Sequence, residues 1–87
     1  MWILSQDKRF FTDSKKPIFF SLEHIGSSPE WSIYAINSYD SLMHQSTGIT
    51  LGTYELAEAE LVFEKLQESI RTLGDTAQFE MPRKDGE

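Results

Sequence analysis

Leu56, Ala59, Phe63, Leu66, Ile70 and Leu73 recur at spacings of 3-4-3-4-3, with Val62 widening the stripe they draw. Such a stripe is the core-facing side of one amphipathic helix, so the rest of the chain must supply an apolar surface to cover it. Glu55, Glu58, Glu60, Glu64, Lys65, Glu68 and Arg71 face away from the stripe. Thr53 stands where an N-cap is expected, and Glu55 and Glu58 suit the positive first turns. Gly74 suits a left-handed position just past the end. The chain has 87 residues and no cysteine, so one thin core has to form without disulfides or thiolate–metal sites. Eleven aromatic residues, 13% of the chain, argue for real packing and against disorder.

The covering surface reads as a sheet. Residues 2–5 are a short first strand, closing into Gln6-Asp7-Lys8-Arg9, and residues 12–17 are turn-rich. Residues 18–25 give the clearest strand, with Ile18, Phe20, Leu22 and His24 on one face and Phe19, Ser21, Glu23 and Ile25 on the other. A turn over 26–29 returns the chain as residues 30–36, with Trp31, Ile33 and Ala35 sharing a face, so 18–36 predicts a β-hairpin. Residues 37–46 read as a polar loop, 47–51 as a weaker strand interrupted by Gly48, and 77–81 as a last strand stopped by Pro82. The expected fold is a single α+β domain over 1–82, in β-β-β-β-α-β order, its helix on one face of a small, mostly antiparallel sheet. Residues 83–87 read as a frayed tail. Because one helix covers one face, Phe19 and Ile25 need cover from Phe10-Phe11 or from another subunit, which predicts a homodimer or higher homo-oligomer.

Charge is distributed unevenly. The net charge is −6, yet residues 1–17 hold Lys8, Arg9, Lys15 and Lys16 against Asp7 and Asp13. Residues 18–64 hold no Lys or Arg and seven acids: Glu23, Glu30, Asp40, Glu55, Glu58, Glu60 and Glu64. Direct nucleic-acid binding is therefore not expected, since it requires several cations against the phosphates. The acidic stretch reads either as a solubilising surface or as a face for a basic partner. No apolar run approaches the ~18 residues that span a bilayer. Polar residues follow Leu4 too soon for a signal-peptide apolar region. No membrane role and a cytoplasmic setting are the expectation.

Catalytic patterns are missing from the sequence. His24 and His44 are far apart with no HExxH spacing, so no metal is expected. The serines form no G-x-S-x-G elbow, the glycines no phosphate loop, and most carboxylates lie on a wet helix face. The expectation is no enzyme and no cofactor. The 37–46 loop stands out for Tyr39, Asp40, Met43 and His44, residue types that recur at binding surfaces. Alternatively, Leu42 and Met43 close an open end of the core.

Three motifs, Met1-Trp-Ile-Leu-Ser-Gln-Asp-Lys8, Leu51-Gly-Thr-Tyr54 and Phe79-Glu-Met-Pro82, resemble a set of short proteins of Gram-positive bacteria, their prophages and phages. Those proteins open with Met-Trp-apolar-x-Ser-Gln-Asp, run through Leu-Gly-x-Tyr into one helix and end on aromatic-Glu-Met-Pro. Residues 9–50 share no pattern with them. The resemblance implies a small α+β fold and a mobile-element setting, and it brings no activity. Gly52 reads as a turn between strand and helix, Tyr54 as packing at the first helical turn, and Ser5-Gln6-Asp7 as a strand-end turn or a recognition patch.

The leading expectation is a non-enzymatic interaction protein, a phage-type accessory or anti-defence inhibitor. It would bind a host protein through its acidic surface, with Glu55, Glu58 and the Tyr39–His44 residues as candidate contacts. A second reading is a binder of a nucleotide-like anion, with Lys8, Arg9, Lys15 and Lys16 meeting phosphate and Tyr39 or Trp31 stacking on the base. A third is a purely structural oligomer.

Overall fold

In a computed structural model the apolar stripe forms a helix, α1 (Leu56–Thr72), and six strands accompany it among the described residues. They are β1 (Trp2–Leu4), β2 (Phe11–Asp13), β3 (Phe19–His24), β4 (Glu30–Asp40) and β5 (Gln45–Glu55) before the helix, and β6 (Gln78–Glu80) after it. The structure describes residues 1–17, 19–40, 42, 45–74 and 76–83, the side chains of 39, 40, 45 and 46 excepted. The α+β class stands, but the order is β-β-β-β-β-α-β in two sheets rather than one.

The larger sheet is the antiparallel meander β3-β4-β5, and α1 packs on it. The expected hairpin is present, with Phe19 opposite Ile36 and His24 opposite Trp31. Ile33, Ala35, Leu51 and Tyr54 meet Ala59, Val62 and Leu66 of the helix in the buried core, with Phe20, Leu22, Trp31, Phe63 and Ile70 packed around it. The ends of the predicted stripe, Leu56 and Leu73, stay exposed, because the sheet is too narrow to cover a helix of this length from end to end. Among the described residues no helix is long and apolar enough to cross a membrane.

Two register shifts shape β5. Ile33 faces Gly52 and Tyr34 faces Thr50, leaving Leu51 as an extra residue; Ile36 faces Gly48 and Ser38 faces Thr47, leaving Asn37 extra on β4. Both are bulges, which kink the pair and release the extra residue from the ladder. The backbone lies so close at the second that a Cβ on Gly48 would fall 2.1 Å from the Ala35 carbonyl oxygen.

The second sheet joins the two ends of the chain. β1 is central, antiparallel to β2 and parallel to β6. Ile3 and Thr12 pair and turn inward, both buried. Trp2 and Leu4 share the other face with their partners Asp13 and Phe11, since directly opposed residues point the same way.

Gln6 locks the sheets together. Its N–H donates to the Leu51 carbonyl at 2.6 Å, an acceptor that the bulge leaves free of the ladder. Its side chain then pairs with Thr53 as a neighbouring strand would, accepting from the Thr53 N–H at 2.9 Å and donating to the Thr53 carbonyl at 3.3 Å. On the far side, the buried Tyr54 hydroxyl donates to the Pro82 carbonyl at 2.6 Å, and Met81 N–H to the Leu4 carbonyl at 3.0 Å.

Several local expectations are corrected. Thr53 lies in β5, and the helix follows β5 directly from Glu55, an N-cap without a side-chain hydrogen bond. Gly52 makes no turn there. A Cβ at Gly52 would stand 2.7 Å from the Tyr54 hydroxyl, so the glycine makes room for that ring. Gly74 adopts no left-handed conformation; the helix ends at Leu73 in extended geometry, its N–H on the Ser69 carbonyl. The 37–46 segment is largely strand, β4 running through Asp40 and β5 starting at Gln45.

Candidate functional site

Residues of the Ser5–Phe10 turn that looked available for recognition are occupied in holding the fold. The Ser5 hydroxyl donates to Asp7 Oδ1 at 2.6 Å and accepts from the Phe10 N–H at 3.1 Å, so this buried side chain braces the turn. The same Asp7 oxygen accepts from the Arg9 N–H at 3.1 Å. The Ser5 hydroxyl and then the Arg9 amide hold the Asp7 carboxyl below its ordinary value, because both favour the charged form. Lys8 turns the chain with φ 64° and reaches Glu80 at 3.3 Å. Ser5, Gln6, Asp7 and Lys8 thus each make a bond at or beside the seam between the sheets.

Among the described residues two surfaces stand out. The first is an acidic corner where β4 begins and β5 runs into α1. Register puts Glu30 directly opposite Glu55, Glu58 lies in the first helical turn, and Leu56 between them is exposed. Farther along, Glu60, Glu64 and Glu68 recur every four residues on the solvent side of α1, beside an exposed Leu61. The structure therefore joins Glu30 to the predicted Glu55 and Glu58.

The second surface is a groove of about 530 Å³ between the Phe10–Lys16 segment and the β4-β5 pair. Trp2, Phe10 and Phe11 line it at 48%, 47% and 58% exposure, together with Lys15, Lys16, Asn37 and Ile49. The Asn37 bulge brings that side chain to the groove. Sequence reasoning found Lys15 and Lys16 but assigned the stacking ring to Trp31 or Tyr39. Trp31 is instead half-buried against the core, its ring 5.0 Å from that of His24 at a 44° tilt. His24 Nε2 donates to the Ser28 carbonyl at 2.5 Å. Lys8 and Arg9 do not line the groove. Phe10 and Phe11, expected as cover for Phe19, are themselves exposed, and so is Phe19.

Of the loop candidates, Tyr39 and Asp40 end β4, paired with Ser46 and Gln45. Met43 and His44 lie outside the described residues. Among the described residues no three His, Asp or Glu side chains gather as a metal site requires. The geometry defines a small two-sheet α+β domain with one acidic corner and one aromatic–basic groove. No family of known proteins, no curated protein and no solved structure matches the chain.

Proposed function

We propose that this chain is a non-enzymatic interaction protein that docks its acidic corner on a basic surface of a host protein, as an accessory or inhibitor of a mobile element. The observation carrying the reading is the register that sets Glu30 against Glu55 at the start of α1, with Glu58 one turn on. It draws carboxylates from distant parts of a cation-free stretch to one place. The exposed Leu56 gives that corner an apolar centre within a charged rim, the usual anatomy of a protein interface. Complementary charge of this kind speeds encounter and fixes orientation. The mobile-element setting rests on the resemblance of the three motifs. A non-catalytic role is supported by the engagement of Ser5, Asp7 and His24 in local hydrogen bonds.

The test is capture of partners from a Gram-positive host lysate by the tagged protein at low and high salt, beside a Glu55→Lys/Glu58→Lys variant of verified fold. A single stoichiometric protein retained by the wild type at low salt, and lost both at high salt and with charge reversal, is the expected result. Capture indifferent to salt and to both substitutions refutes the acidic corner as the docking surface.

A further inference from the structure

We propose that the groove between the Phe10–Lys16 segment and the β4-β5 pair is a binding site for a free nucleotide, with the base on the exposed rings and the phosphate at the lysines. The argument begins with rings that the fold leaves uncovered. Thr12 takes the inward position of β2 opposite Ile3, so Phe11 turns outward and lies diagonal to Trp2 across Leu4. With Phe10 they place three exposed aromatic residues on one groove, while among the described residues the one close ring pair is His24–Trp31 elsewhere. Small-molecule pockets are lined mainly by apolar and aromatic side chains with a few polar groups. A volume of about 530 Å³ lies within the ~300–1,000 Å³ of small-molecule pockets.

Charge decides what kind of ligand. Lys15 and Lys16 line the groove of a chain whose net charge is −6. The carboxylate that also lines it, Asp13, accepts the Lys15 N–H at 3.0 Å within its own turn. The Lys16 ammonium, with Lys15 beside it, suits a single phosphate. A polyanion needs a run of cations along its path, and beyond the groove an acidic protein repels it. Stacking on Trp and Phe is tolerant of base identity, because every base has a π-face. Asn37 offers both a donor and an acceptor to a base edge. A single planar aromatic ring bearing phosphate therefore fits better than single-stranded nucleic acid.

Trp2 is a built-in reporter. A Trp31→Phe variant leaves Trp2 as the sole tryptophan, and its fluorescence is titrated with AMP, GMP, CMP and UMP up to about 1 mM. Saturable quenching is expected, weakened about tenfold or more by Lys15→Ala/Lys16→Ala and by replacing AMP with adenosine. Thermal stabilisation of the unaltered protein by the same nucleotides provides a second readout. The Glu55→Lys/Glu58→Lys variant should quench as before, so failure here and failure of the acidic-corner reading are distinguishable. Absence of both quenching and stabilisation overturns the proposal. Equal binding of adenosine and AMP overturns the phosphate site, and tighter binding of a single-stranded oligothymidylate overturns the choice of a free nucleotide.

Discussion

The two sheets share one buried core but differ in how much is added to it by particular side-chain hydrogen bonds. The β3-β4-β5 sheet is a local meander whose inner face, with α1, buries Ile33, Ala35, Leu51, Ala59, Val62 and Leu66; its stability is apolar area removed from water. The β2-β1-β6 sheet has strands of three residues drawn from opposite ends of the chain. It sends Ile3, with the flanking Met1 and Met81, into the same buried core, and named hydrogen bonds add to that hold: Gln6 to Leu51 and Thr53, Tyr54 to Pro82, and Ser5 to Asp7 and Phe10. Area is non-directional and tolerates sequence change, whereas these bonds require particular side chains. The groove borders the sheet of shorter strands.

The largest effect should come from the sheet held by area. Leu66 is fully buried between α1 and the meander, and Leu66→Ala should cost about 2–5 kcal/mol through lost transfer energy and the cavity left behind. A chain of 87 residues has only ~4–13 kcal/mol in total. Chemical denaturation should show a large fall in midpoint with an unchanged slope, and hydrogen exchange should quicken in both sheets alike. Protection surviving in β2-β1-β6 would mean that the small sheet stands without the core that Ile3, Met1 and Met81 share with Leu66.

Gln6→Ala attacks the other side of the comparison. It removes both side-chain bonds to Thr53 and so should cost about 1–3 kcal/mol, at ~0.5–1.5 for each bond. Exchange should accelerate in β1, β2 and β6 while β3 and β4 keep their protection. Uniform acceleration would show that the two sheets open as one unit, and the contrast would then be one of composition alone.

The same division governs what the sequence discloses. The helix and the 18–36 hairpin were legible because their partners are near in sequence and their apolar spacing is regular. β2 was not, because Phe11–Asp13 has only three residues, too few to display alternation, and Thr-Asp-Ser-Lys-Lys-Pro looks like a turn. The extent of β5 was hidden by its bulge at Leu51. With Leu51 outside the ladder, period two breaks between Thr50 and Gly52, and a strand reaching Glu55 reads as one ending at Leu51. Glu55 and Glu58 were found from helix periodicity, whereas Glu30 joins them only through register. The groove left one trace, the adjacent Phe10-Phe11 beside Lys15 and Lys16. Its meaning depended on Thr12 taking the inward place, which only the pairing with Ile3 reveals.

The smallest expected effect isolates one strut of the seam. Asp7 is exposed, and its carboxyl is held below the ordinary value by the Ser5 hydroxyl and the Arg9 N–H. A folded-state pKa below the unfolded one adds stability above the unfolded value, near 3.8, and loses it as pH falls through the folded value. Asp7→Asn removes the charge and with it this dependence. The variant should therefore melt slightly below the wild type at neutral pH, and the gap should close on acidification below about pH 4. A gap of constant size from neutral to acid pH would mean that Asp7 serves the turn by shape alone. A gap that widens in acid would reverse the sign of its linkage and remove charge from the account of how the small sheet is held.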